Sequence, residues 1–323
     1  MTALAPYRSE LRTGRDGFAQ LLRAEWTKFR TVRGWVIGMI VVLLVIVGLG
    51  ALTGANSECG SQMGPNAPML ACPAPPTGPG GEWVADSFYF VRQPLAGNGS
   101  ITVRVTSLTG LYSTHGATVA DGGSPTAGMT PGVQPWSKAG IIIKASTRQG
   151  AAYAAMMVTG SHGVRMQWDF THDVAGLAGK VSAASPRWLR LTRSGDTITG
   201  YDSPDGAHWT MVGTATLSGL PSTTQSGLFP ASPGYSVNTT SLGGGSSKGG
   251  PSLATGTFDQ VSRQGAWPAA GWTGQDLQGT MDPALPASAQ GFTQAGSRLT
   301  VSGSGDIAPA TDNTDSEIGR AHV

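Results

Sequence analysis

The stretch Gly99-Ser100-Ile101-Thr102-Val103-Arg104-Val105-Thr106-Ser107-Leu108 alternates apolar and polar side chains with a period of two. Ile101, Val103 and Val105 fall on one side, Thr102, Arg104 and Thr106 on the other. Successive side chains of a strand point to opposite faces, so this reads as a strand with one face buried. The same signal recurs on either side. Residues 87–91, 139–145, 151–159, 164–170, 187–193, 197–203, 210–216, 227–229 and 255–261 also read as strands. Gly, Asn or Asp fill the gaps between them. Ser194-Gly195-Asp196 and Ser203-Pro204-Asp205-Gly206 carry turn chemistry, and 232–254, with Gly243-Gly244-Gly245-Ser246-Ser247, reads as a long flexible loop. Many short strands and no convincing helix predict a mainly β fold, an antiparallel two-sheet sandwich. Composition agrees: 48 of 323 residues are Gly, 21 are Pro, and only 12% are charged. An ordinary soluble domain carries about 25% charged residues.

The N-terminus follows other rules. From Trp35 to Leu52 no residue is charged. Such a run is long enough to cross a hydrocarbon layer of about 30 Å as a helix. Residues 1–34 carry Arg8, Arg12, Arg15, Arg23, Lys28, Arg30 and Arg33, whereas 53–81 hold no Lys or Arg. This asymmetry predicts one transmembrane helix over 35–54, a cytoplasmic basic and amphipathic segment over 1–34, and everything later outside the plasma membrane. A cleaved secretory signal is the rival reading, with Thr53-Gly54-Ala55 as its small-residue site. Before the span, Phe18, Leu21, Leu22, Trp26 and Phe29 share one helical face. They predict either a helix lying on membrane lipid or the start of a longer transmembrane helix. The net charge of +2 gives no reason to expect nucleic acid as a partner.

Residues 55–82 read as a Pro/Gly-rich linker. Cys59 and Cys72, the chain's only cysteines, lie there and make a candidate disulfide in an oxidising space; two unpaired thiols are the alternative.

Catalytic signatures are sparse. The five Glu are Glu10, Glu25, Glu58, Glu82 and Glu317, and only Glu82 touches the strand-rich region. A glycan-cleaving carboxylate pair is therefore hard to assemble. No nucleophile elbow, nucleotide-binding loop or His cluster occurs. An enzyme is not expected, and neither a cofactor nor a metal site is read from the sequence. Asp169 and Asp173, with His172 and Trp168, are the polar cluster least explained by turn chemistry. They are the candidate ligand contacts, against the plainer reading of a polar surface loop. Trp136, Trp168, Trp188 and Trp209 read either as core or as platforms for sugar rings.

Two resemblances add to this. The run Leu21-Leu22-Arg23-Ala24-Glu25-Trp26-Thr27-Lys28-Phe29-Arg30-Thr31-Val32-Arg33-Gly34-Trp35 resembles the N-terminal entry of actinobacterial type-2 ABC transporter permeases. That resemblance implies the membrane half of an exporter working with a separate ABC ATPase subunit. Such permeases have several spans, and this chain shows one candidate. Residues 83–265 resemble laminin-G-like, concanavalin-type jelly rolls. The resemblance runs through Phe88-Tyr89-Phe90-Val91, Gly97-Asn98-Gly99-Ser100-Ile101, Lys138-Ala139-Gly140-Ile141-Ile142-Ile143-Lys144 and Trp188-Leu189-Arg190-Leu191. It continues through Ser203-Pro204-Asp205-Gly206-Ala207-His208-Trp209 and Gly256-Thr257-Phe258-Asp259. It implies a fold commonly used to bind carbohydrate or protein surfaces, although fold alone does not give function.

Residues 266–317 form a Gly/Pro-rich segment with further candidate strands, Arg298-Leu299-Thr300-Val301-Ser302 among them. Gly303-Ser304-Gly305-Asp306-Ile307 resembles the opening of another jelly-roll copy, and also the segment leading back to the membrane in permeases that carry such a domain. Residues 318–323, Ile318-Gly319-Arg320-Ala321-His322-Val323, resemble one reading frame of a short sequencing adapter, which implies a natural chain that continues. The leading expectation is an ABC permease fragment with an extracellular jelly roll. The alternative is a single-pass anchored protein that binds glycan or cell-wall polymer.

Overall fold

The computed structural model describes residues 17–31, 33–55, 76–114, 126–241, 244–277, 285 and 289–309. The chain divides into two compact units, Met1–Pro73 and Ala74–Val323. Cys59, Cys72 and residues 318–323 lie outside the described residues.

The first unit holds α1 (Phe18–Thr31) and α2 (Arg33–Ala55). In α1, Phe18, Leu21, Leu22 and Trp26 are exposed, and Lys28 and Arg30 occupy the last turn, where cations favour the helix dipole. Along α2, Ile37, Val41, Leu44 and Val47 are all exposed, so the helix is apolar on every side with no core to enter. An apolar groove between the two helices is lined by Leu22, Trp26, Phe29, Trp35 and Met39. Among the described residues no single helix is long and apolar enough to cross a membrane; Phe18–Thr31 and Gly34–Gly50 meet that measure only together, as a bent pair. The single span expected over 35–54 is thus not shown.

The second unit is mainly β, and all its strand pairings are antiparallel. In chain order it comprises β1 (Val84–Asp86), β2 (Phe88–Tyr112), β3 (Thr130–Pro131), β4 (Lys138–Lys144), β5 (Tyr153–Thr159) and β6 (Val164–Trp168). Next come β7 (His172–Ala175), β8 (Arg187–Ser194), β9 (Thr197–Ser203), β10 (Thr210–Thr216), β11 (Thr223–Ala231) and β12 (Tyr235–Ser241). The last are β13 (Gly244–Gly250), β14 (Ser252–Ala266), β15 (Thr273–Leu277), β16 (Gly291–Ala295), β17 (Arg298–Gly303) and β18 (Ile307–Pro309). The main sheet runs β10-β9-β8-β2-β11-β4-β5-β6-β7, with β14, β15 and β3 also on β2.

The 25-residue β2 is the axis of the fold. Its first part pairs with β11 and β15, its second with β8 and β14. The sequence reading takes residues 87–91 and the stretch ending at Leu108 as separate strands. The chain instead stays extended around Gly97, whose φ of 65° an L side chain rarely adopts. Parity survives the irregularity: Val91, Leu95, Ile101, Val103 and Val105 all enter the first core. That core also takes Ile141, Ile143, Met156, Met166, Leu189, Leu191, Leu228 and Phe258.

A second core lies on the opposite side of β4, β5 and β11. Phe88, Phe90, Ile142, Tyr153, Met157, Phe170, Phe229 and Ile307 form it. β4 and β5 are therefore buried on both faces, which explains the unbroken Gly140-Ile141-Ile142-Ile143 run. The two-stranded ribbon β1–β18 belongs to this second core, with Val84 opposite Pro309 and Asp86 opposite Ile307. Two ion pairs fix the ribbon to the ends of β4. Lys144 Nζ lies 2.5 Å from Asp86 Oδ2 and Lys138 Nζ 2.5 Å from Asp306 Oδ1, with both lysine side chains fully buried. Lys144 also donates to the Ala151 carbonyl and Lys138 to that of Ile307. Buried charges need such partners.

Two expectations change here. The long loop expected over 232–254 contains the hairpin β12–β13, with Tyr235 opposite Gly250. The segment Gly303–Ile307, read as the opening of another copy, instead leads into β18 and closes this one.

Candidate functional site

The outer face of the β14-β2-β8-β9-β10 sheet is open, and its side chains follow from strand parity. Leu189 and Leu191 point into the first core, so Trp188, Arg190 and Thr192 point out. Register then sets cross-strand rows. Asp259, Arg104, Trp188 and Ser203 lie in one row. Ser262, Thr102, Arg190, Tyr201 and Met211 lie in the next.

Arg104 grips Asp259 through two bonds, Nε to Oδ1 at 2.7 Å and Nη2 to Oδ2 at 2.8 Å, and its guanidinium sits 5.7 Å from the Trp188 ring. Arg190 Nε donates to Thr102 Oγ1 at 3.0 Å, and its guanidinium lies 3.9 Å from the centroid of Trp209. Trp209 is held in turn by its own Nε1–H, which donates to the Gly206 carbonyl at 3.0 Å. Asp205 organises that turn by accepting from the backbone N–H groups of Ala207 and His208, both at 2.8 Å. The His208 ring meets the other Asp205 oxygen at 2.7 Å. This contact holds the Asp205 carboxyl well below the usual range and pushes His208 up from 6.5. Gly206 is required by its φ of 77° and by Trp188, whose ring lies 2.6 Å from where a Cβ would stand. The result is an indole–guanidinium stack flanked by Trp188, Tyr201 and Met211.

The four residues singled out from the sequence sit at the β6–β7 turn, each with its own partner. Trp168 stacks on His172 at 4.8 Å and 10° and packs against the first core. Asp173, on the opposite side of β7, accepts from Arg165 Nη2 at 2.6 Å and from its Nε at 2.9 Å. Asp169 accepts from the Tyr153 N–H at 3.2 Å, and burial raises its carboxyl above the ordinary 3.8. Asp169 and Phe170 both adopt left-handed backbone, φ 44° and 62°. Such strain persists where the surroundings over-determine it. Here Phe170 is buried edge-on to Tyr153 at 4.9 Å and 5.6 Å from Lys144 Nζ. The turn is thus accounted for by packing. Trp136 is 4% exposed and stacks on His162 at 3.9 Å; burial pushes His162 down from 6.5. Among the described residues no group of three or more His, Cys, Asp or Glu is placed to hold a metal ion.

Two of the four tryptophans, Trp188 and Trp209, therefore belong to the open face. Arg190, Thr102 and Tyr201 were missed by the sequence reading, although alternation around Leu189 and Leu191 already places Arg190 beside Trp188.

No family model and no curated protein matches this chain. The resemblances to ABC permeases and to laminin-G-like domains gain no support from those comparisons. Among solved structures, scytalido-glutamic peptidase with a transition state analog inhibitor matches at 9% identity and a TM-score of 0.38, covering 67% of this chain and 98% of that one. The GH43 BlXynB protein from Bacillus licheniformis matches at 16% identity and a TM-score of 0.30, over 52% of this chain and 28% of that one. A lectin from Bauhinia forficata in complex with GalNAc matches at 10% identity and a TM-score of 0.28, over 63% and 86%. The expectation that the chain is not an enzyme is overturned by the peptidase matches and is withdrawn. Likeness this distant transfers no activity to this chain.

Proposed function

We propose that this protein is tethered to the plasma membrane by its N-terminal helices and holds carbohydrate on the open face of an extracellular, concanavalin-like jelly roll. The observation that carries the reading is the open face itself. Trp188, Trp209 and Tyr201 offer aromatic surface, and Arg190, held by the buried Thr102, offers donors on a rigid strand. Sugars present apolar ring faces and hydroxyl edges, so aromatic surface beside fixed polar groups suits them. The full chain in detergent should bind some members of a polysaccharide panel. Trp209→Ala should weaken that binding by about tenfold, the order of one lost aromatic contact with its neighbours. Unchanged binding in Trp209→Ala would remove this face from the reading.

A second reading is favoured by one observation. The first and last described strands of the second unit, β1 and β18, are paired, with Val84 opposite Pro309. That suits a module carried in a loop between two membrane segments, as the permease resemblance implies. Co-purification with an ABC ATPase subunit, with ATP hydrolysis raised in the complex, is the test. A chain purified from its native membrane with no ATPase would end this reading.

A further inference from the structure

Arg190 differs from its neighbour Arg104 in what satisfies it. Arg104 spends its charge on Asp259 in a two-bond grip. Arg190 has only its Nε engaged, by the Thr102 hydroxyl; neither terminal nitrogen meets an acceptor, and no carboxylate pairs with it, among the described residues. The acidic groups nearest in the fold are already committed. Asp259 belongs to Arg104, and Asp205 accepts from His208 and two backbone N–H groups.

The guanidinium is also positioned rather than loose. Its Cζ lies 3.9 Å from the centroid of the Trp209 ring, and Nε is tied to a strand residue that is only 7% exposed. A guanidinium held at Nε keeps its two terminal nitrogens as a planar fork, which matches carboxylate and phosphate oxygens. Little side-chain freedom is left to lose on binding, so the group is pre-organised. A neutral sugar can use only the guanidinium's donors, whereas an anionic group also meets its charge.

We propose that the open face selects anionic glycans, and that Arg190 takes their carboxylate or phosphate group while Trp209 and Tyr201 support the adjoining ring. This inference rests on the carbohydrate reading and narrows it to one charge class. The test uses the full chain in detergent with three probes: polygalacturonate, the same polymer with its carboxyls reduced to alcohols, and poly(glycerol phosphate). The expected result is binding to at least one anionic polymer, about tenfold or more tighter than to the reduced one, and weakened by salt. Arg190→Gln should remove that preference, and Arg190→Lys should restore it only in part. A stronger response to the phosphate polymer assigns the site to phosphate, and the reverse to carboxylate. The comparison of native and reduced polymer needs no variant, so a folding defect in Arg190→Gln leaves the result readable. Equal affinity for native and reduced polymer, with no tighter binding of the phosphate polymer, overturns the charge proposal and leaves the carbohydrate reading standing. Binding to none of the three overturns the charge proposal, and the carbohydrate reading falls only if the wider polysaccharide panel also fails to bind.

Discussion

Lys144 is a charged side chain with no exposure at all, and its position explains how the sandwich keeps its ribbon. Burial pushes its ammonium down and the Asp86 carboxyl up, while each draws the other back toward its charged form. Deleting one partner leaves a lone charge in an apolar setting, at a cost of about 3–5 kcal/mol. Lys144→Met should therefore lower unfolding stability by about that amount in urea titrations followed by tryptophan fluorescence. The double variant Lys144→Met with Asp86→Leu should lose less than the single one, because both desolvation penalties disappear together. It still leaves the Gly150 N–H without its 2.7 Å acceptor, so it does not return to the parent value. Equal losses in the single and double variants would show that the pair is not coupled. None of this was legible in the sequence. Lys138 and Lys144 flank an apolar run and read as the wet ends of a strand. The carboxylate that takes Lys138 lies 168 residues away, and no local pattern links the two.

At the scale of elements, periodicity was legible and partners were not. Strands such as β8 and β9 alternate cleanly because one face meets the core and the other meets water, so their residues declare themselves. β1 and β18 have three residues each, too few for alternation to register, and they pair across the whole length of the sandwich. β12 and β13 are rich in Gly, Ser and Thr, and composition there reads as loop. Within β2, the glycines at 97 and 99 signal a turn, yet pairing on both edges keeps the strand continuous. The ribbon's contribution is measurable at Ile307, which is 1% exposed in the second core. Ile307→Ala should cost about 2–5 kcal/mol and lower the thermal midpoint by several degrees. Met211→Ala, on a side chain 62% exposed, should stay within about 0.5 kcal/mol. Similar small losses at both positions would mean that the ribbon lies on the sandwich without sealing it.

For the whole molecule, the question is which side of a membrane the sandwich occupies. α2 presents apolar side chains all round and buries none of those described, a pattern that water does not support and lipid does. Its 17 residues from Gly34 to Gly50 rise about 26 Å, short of a hydrocarbon layer of about 30 Å, while the whole helix to Ala55 rises about 34 Å. A span therefore draws on the last turn of α2, or on tilt and thinning of the bilayer. Seven Arg and Lys precede Trp35 and none falls between 53 and 81, so the proposed tether is expected to leave the N-terminus in the cytoplasm and the sandwich outside. In intact cells, protease added outside should remove the sandwich epitope while an N-terminal tag stays protected, and both should vanish once the membrane is permeabilised. Loss of the tag with protection of the sandwich would reverse the proposed placement, and protection of both would place neither region outside. Sandwich recovered from the medium without its N-terminal tag would instead favour the cleaved-signal reading at Thr53-Gly54-Ala55. In that case the open face would act as a freely diffusing binder and the tether would be lost. The arginine-over-tryptophan face is the same in either case, because strand parity sets it independently of what the first unit does.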